Sequence, residues 1–232
     1  MKKLILFLSI SALTIIPYSC NTLQKIGNYF LTEQDAVSAI KEALTIGSKA
    51  GSYILGQKGA FGKESIMAAI FPPELQKVVG ILQQLGLSSE IDRFVNTMGT
   101  ATEQTALRSA PIFLAGIKNM TVKDAIQIVK NGNSAATDFL RNSIGDTLRK
   151  SVSPVMNEAL NEYKLAAEWN KLVAPAKLLM GDKLNLDLGN LMSGLITNAM
   201  FNKIAEKEME IRTKAEARTS GLLQRVFGKD WN

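Results

Sequence analysis

The stretch LMSGLITNAMFNKIAEKEMEIRTKAEA, residues 191–217, decides the fold class. At about 100° per residue, Leu191, Met192, Leu195, Ile196 and Ala199 share one helical face, whereas Phe201, Ile204, Ala205, Ile211 and Ala215 share nearly the opposite one. The apolar side therefore changes near Met200. Either the helix breaks around Thr197 and Asn198, or it threads between two layers with each half covered from a different side. In the second half Asn202, Lys203, Glu206, Lys207, Glu210, Thr213 and Lys214 form the polar face, yet Glu208 sits within the apolar stripe and Arg212 follows one turn later. On an exposed helix such a pair contributes only about 0.2–0.5 kcal/mol. Buried, it must find further hydrogen-bond partners or it destabilises the fold.

Working back along the chain, the same period recurs. Thr32 and Glu33 open a helix through Ala36, Val37, Ile40, Ala43 and Leu44, with Gly47 and Gly51 loosening its end. Gly56, Gly59 and Gly62, followed by Lys63, invite comparison with a phosphate-cradling loop. The comparison fails, because Gln57 stands where the first glycine is needed, Glu64 replaces the hydroxyl residue after the lysine, and no strand leads in. Pro72 and Pro73 start a helix that stops at Gly86, and Ser88 or Ser89 caps the next, carrying Ile91, Phe94, Val95, Met98 and Thr102 on one side. Pro111 either begins another helix or kinks that one. Thr121 with Asp124 resembles a capping box, Gly132 closes the short helix behind it, and Ser134 begins the next. A long helix is expected from Pro154 to Val173, terminated by Pro175, and a last helical stretch from about Leu188 to Phe227. No alternating β-branched run is long enough to nucleate a sheet. The expected class is an all-α multi-helix bundle with a long C-terminal helical stretch.

The N-terminus has a different character. Met1, Lys2 and Lys3 precede an apolar run, Leu4 to Ile16, that ends in Pro17, Tyr18, Ser19 and Cys20. Thirteen such residues span about 20 Å, short of the roughly 30 Å hydrocarbon core. The pattern is that of a lipoprotein signal peptide over residues 1–19, with Cys20 as the lipidated first residue of the mature chain, a tether over 20–31 and one all-α domain over 32–232. Cleavage removes two lysines and no acids, so the net charge falls from +6 to +4. Basic residues are spread without a run, which argues for a solvated surface and against nucleic acid as a partner.

Composition narrows the chemistry. There is no histidine in the 232 residues, so Ser-His-Asp and Cys-His nucleophile pairs, histidine metal helices and imidazole pH switches are excluded. A single cysteine excludes internal disulfides and Cys-rich zinc sites. No cofactor or metal is expected, and no catalytic residue is nominated. For Glu208 and Arg212 two readings stay open: an internal cross-link that fixes helix register, or the lining of a pocket in which the guanidinium takes an anion. The residues placed with them as candidate partners are Glu103, Asp124, Thr137, Asp138 and Arg218. Asp124 and Asp138 would equally serve helix first turns, and Arg218 a helix end.

Several segments together resemble the bacterial domain-of-unknown-function family 4197. Met120, Thr121, Asp124, Ala125, Gly132, Ala135, Ala136, Thr137 and Phe139 resemble its central signature. So do Ile204 to Arg212 followed by Arg218, Leu222, Leu223, Val226, Phe227 and Gly228, while Pro72, Leu85 and Gly86 fit its earlier segment. The chain departs from the pattern at Gly99 to Glu103, where relatives tend to read Asn, Arg, Ala, Ala, Glu, and at Leu191 and Leu195. The resemblance implies a helical domain of exported bacterial proteins, often lipoproteins, without an assigned activity. The expected function is that of an envelope lipoprotein of unassigned biochemical activity, a non-enzymatic binding or structural module facing the periplasm. Its partners would be the membrane through the N-terminal lipid and an envelope protein or anionic small molecule, and its place the outer membrane, facing the periplasm. The alternative is a carboxylate-dependent hydrolase acting on an envelope polymer, with Glu208 or Glu103 as acid or base.

Overall fold

The computed structural model describes residues 30–231; the expected leader, Cys20 and the expected tether up to residue 29 lie outside them. The chain divides into Met1–Phe30 and a compact unit over Leu31–Asn232. Ten α-helices follow one another among the described residues: α1 Glu33–Leu55, α2 Lys63–Ile70, α3 Gln76–Gln84, α4 Ser88–Arg108, α5 Ala110–Asn119, α6 Ala125–Lys130, α7 Ala135–Glu162, α8 Leu165–Met180, α9 Leu188–Thr213 and α10 Gly221–Phe227. No strand occurs among these residues, so the fold is an all-α multi-helix bundle.

Helix α9 organises the core, with α1 and α7 as its main neighbours. It runs unbroken through Thr197 and Asn198, because its buried residues Leu188, Met192, Ile196, Met200, Ile204 and Glu208 recur every four positions. Four residues overshoot a full turn by about 40°, so the covered side precesses by roughly 160° between Met192 and Glu208. The change of face is thus a continuous rotation rather than a break. On α1, Gly47 and Gly51 do not loosen the helix, which continues to Leu55. They let α9 approach: a Cβ on Gly47 would lie 3.1 Å from the Ile204 Cα, and one on Gly51 3.0 Å from the Lys203 Cβ. A second cluster centres on Trp169 of α8, whose ring lies 5.4 Å from Phe71 and 5.6 Å from Phe94. Its indole N–H donates to the Leu184 carbonyl at 3.1 Å, which satisfies the one polar atom of the buried ring.

Several expected boundaries move, each for a local reason. Helix α7 passes straight through Pro154 and α8 contains Pro175. Both prolines are exposed, so the carbonyls they leave unbonded can be hydrated while the opposite faces stay packed. The break comes instead at Tyr163 and Lys164, the latter left-handed at φ 55°. Pro111 does begin a helix of its own, α5. Neither Ser88 nor Ser89 caps α4, whose N-cap position is Leu87 without a side-chain bond. The C-terminal stretch is divided: α9 ends at Thr213, a short turn of 3-10 helix covers Ala215–Ala217, and the Ser220 hydroxyl caps α10 by accepting from the Leu223 N–H.

Candidate functional site

Four of the residues singled out from the sequence meet around the lower half of α9. Glu208 is fully buried. One carboxylate oxygen accepts from the Ala136 N–H at 2.9 Å, and the other from the Thr137 N–H at 2.7 Å and the Thr137 hydroxyl at 2.6 Å. Ala136 and Thr137 lie in the first turn of α7, where backbone N–H groups have no intrahelical acceptor. Glu208 therefore caps α7 from another helix, and its charge sits at the positive end of that helix dipole. Ser134 occupies the N-cap position, yet its hydroxyl turns to the Asp138 carboxylate at 3.2 Å and makes no cap.

Arg212 completes the arrangement in the opposite sense. Its Nε donates to Glu208 at 2.9 Å, and an Nη approaches the same carboxylate oxygen at 2.8 Å. The two Nη groups also donate to the carbonyls of Val129 at 2.8 Å and Ile128 at 3.1 Å. Those carbonyls belong to the last turn of α6, where acceptors lack partners and positive charge is favoured. The guanidinium lies 4.8 Å from the centre of the Phe227 ring, so α10 covers one of its faces. One ion pair on one turn of α9 thus ties the end of α6 to the start of α7. The short connection between those helices, residues 131–134, is fixed at both ends by it.

Arg218 serves the same region by closing α9 itself. Its Nε donates to the Ile211 carbonyl at 2.9 Å and its Nη2 to the Arg212 carbonyl at 2.8 Å. The helix-end alternative for this residue is the one observed. That cap, with the turn that follows it, brings α10 back over Arg212.

The remaining candidates stand apart from this network. Asp138 is exposed on the first turn of α7. Asp124 precedes α6 in a left-handed conformation at φ 53° and makes no side-chain cap, so the capping box with Thr121 does not form. An N-cap residue needs extended backbone geometry, and Asp124 lacks it. Glu33 of α1 takes over, accepting from the Ala125 N–H at 2.6 Å. Nothing in the local sequence of α6 signals that long-range cap. Glu103 is buried on α4 and accepts from the Gly59 N–H at 2.6 Å, holding the glycine-rich loop. Glu103 and Glu208 are therefore each turned to a different backbone segment, and neither faces the other across a cleft. Among the described residues no group of three or more metal-ligating side chains is gathered.

The chemical content of the arrangement is architectural. Every oxygen of Glu208 accepts bonds from the protein, and Arg212 directs its donors to the protein as well. The segments in play, α6 with the start of α7 and the second half of α9 with α10, are those that carried the resemblance noted in the sequence. A family model described as "Protein of unknown function (DUF4197)" matches residues 30–228. The chain belongs to the DUF4197 family. The match takes in Glu33, Glu103, Glu208, Arg212 and Arg218 alike, so the capped α6–α7–α9 arrangement lies wholly within the DUF4197 segment. No curated protein and no solved structure matches the chain significantly.

Proposed function

We propose that this DUF4197 protein is a non-enzymatic binding or structural module of the bacterial envelope, held by a lipid on Cys20 and facing the periplasm. The observation that carries the non-enzymatic part is the closure of the Glu208 and Arg212 network. A general acid or base needs a free position within hydrogen-bond reach of substrate, and the fully buried Glu208 carboxylate spends its acceptors on α7 amides and Arg212. The envelope placement rests on the leader before Cys20. No single helix among the described residues is long and apolar enough to cross a membrane. One acyl chain gives marginal attachment and two or more give stable attachment, so lipidation at Cys20 supplies the anchor in this reading.

The test is fractionation of cells producing the full chain, with intact-mass analysis of the product. The expected product begins at Cys20, carries acyl groups and sediments with membranes, and Cys20→Ser releases it to the soluble fraction. A product that retains Met1 without acyl groups, or a Cys20→Ser variant that stays with membranes, overturns the anchor.

A further inference from the structure

A groove of about 410 Å³ opens between α7 and α9, away from the Glu208 network. Arg141, Gly145 and Arg149 recur every four residues on α7, and Asn190, Gly194, Asn198 and Asn202 do the same on α9. Arg141 reaches Asn202 at 3.4 Å and Arg149 reaches Asn190 at 2.7 Å, so the helices run antiparallel and the two arginines stand at opposite ends of the groove. Their Cα atoms are about 12 Å apart along the helix axis.

Among the described residues neither arginine is paired with a carboxylate. Arg141 lays its face on the Phe201 ring at 4.7 Å, and the edge of the guanidinium, the part suited to bidentate oxyanion binding, is left with one long bond to an amide. Asp146 is among the residues that line the groove between them, which provides a hydrogen-bond acceptor along a groove with cationic ends.

Two further observations point to an occupant. The first is that the glycines have no packing reason to be there. A Cβ on Gly145 would meet the Phe201 ring at 3.6 Å and one on Gly194 would meet the Arg149 Nε at 3.7 Å, both ordinary contacts. Alanine would fit either helix and suit it better, so the glycines keep the groove open at a cost in helix propensity. Gly47 and Gly51 differ, since close helix approach requires them. The second is Thr197, one of the lining residues and only 4% exposed, whose enclosed hydroxyl has no hydrogen-bond partner among the described residues. Buried polar groups in native structures are nearly always satisfied.

We propose that the α7–α9 groove binds a small hydroxylated molecule bearing two oxyanion groups, carboxylate or phosphate, one held by Arg141 and the other by Arg149. A hydroxyl between the two ends meets Asp146. This specifies a ligand class for the binding role proposed above and rests on that role, but not on the anchor at Cys20. Fractionation and ligand binding can therefore fail separately.

The experiment is calorimetric titration of the detergent-extracted full chain at low salt with glucarate, with fructose bisphosphate, with inorganic phosphate and with phosphatidylglycerol vesicles. At least one of the two bis-anions is expected to bind saturably and more tightly than inorganic phosphate. Arg141→Gln and Arg149→Gln are each expected to weaken it on the order of tenfold or more. Thr197→Val, which removes the unpartnered hydroxyl and keeps the shape, weakens binding while leaving the urea midpoint of the free protein unchanged or raised. Lys150→Gln removes one positive charge from α7 outside the groove lining and leaves the affinity within about twofold at moderate salt. Binding of neither bis-anion, binding to vesicles alone, or an equal loss in Lys150→Gln overturns the proposal. So does full binding by both arginine variants when their circular dichroism and urea midpoints match the parent protein.

Discussion

Truncating Glu208 to alanine tests the reading of this residue as a cap made from a distance. The substitution removes the acceptor of the Ala136 and Thr137 amides and of the Thr137 hydroxyl, and it strips the Arg212 guanidinium, whose side chain is 8% exposed, of its counter-charge. Removing one member of a buried ion pair costs about 3–5 kcal/mol, because the other charge stays buried and unpaired. In a domain of this size that lowers the melting temperature by roughly 6–20 °C. Urea denaturation followed by far-UV circular dichroism measures it directly. The double variant Glu208→Leu/Arg212→Leu separates the two parts of the effect. It removes the stranded charge, and a buried pair that acted only as a pair would then be replaced at little cost. Here the amides of Ala136 and Thr137 and the carbonyls of Ile128 and Val129 remain without their partners, so the double variant is expected to stay about 2–4 kcal/mol less stable than the parent. A Glu208→Ala variant within about 1 kcal/mol of the parent, or a double variant as stable as the parent, would refute the capping role.

Two glycines give opposite expectations. Gly47→Ala drives a Cβ to 3.1 Å from the Ile204 Cα and 3.3 Å from its carbonyl oxygen, backbone atoms that cannot step aside, so it destabilises by about 1–3 kcal/mol in a denaturation series. Gly80→Ala in α3 meets nothing within 4 Å and is expected to stabilise by about 0.5–1 kcal/mol. The pH dependence has a surface component at Glu162, whose carboxylate accepts from Arg108 at 2.9 and 3.1 Å. The Arg108 hydrogen bond holds the Glu162 pKa below its ordinary value, so the stabilisation is present above the ordinary carboxylate range and is lost as pH falls through the lowered value. Glu162→Gln removes that component. Stability measured across the acid range is expected to fall less steeply in the variant, and the difference shrinks in high salt because both groups are exposed.

The polar pair in the α9 stripe was legible because a carboxylate among apolar residues at helical spacing demands partners, and Arg212 lies one turn away. Thr137 and Arg218 could be named alongside it. What the pair binds was not legible, since the partners are backbone amides of α7 and carbonyls of α6, and a backbone group carries no residue identity in the sequence. The same holds for Glu33, which reads as a first-turn acid of its own helix and acts on another. Proline positions misled for a different reason: Pro154 and Pro175 lower local helix propensity, but the packed faces of α7 and α8 outweigh that when the ring is exposed. The turning of the apolar face along α9 looked like a choice between a break and two layers. A strict four-residue repeat explains it, because its drift relative to the helical period moves the covered side steadily. The α7–α9 groove was not visible at all, as two glycines and two arginines on separate helices become neighbours only once the helices are paired.

Native-state amide hydrogen exchange at Ala136 and Thr137 tests the central claim most directly. These amides stand in the first turn of α7, where exchange is ordinarily fast, and α4 starts with no side-chain cap to slow it. If Glu208 holds them, both exchange as slowly as amides in the middle of α7, and Glu208→Ala returns them to the rate of the Ser89 amide. Rates for Ala136 and Thr137 that already match Ser89 in the parent protein would contradict the account.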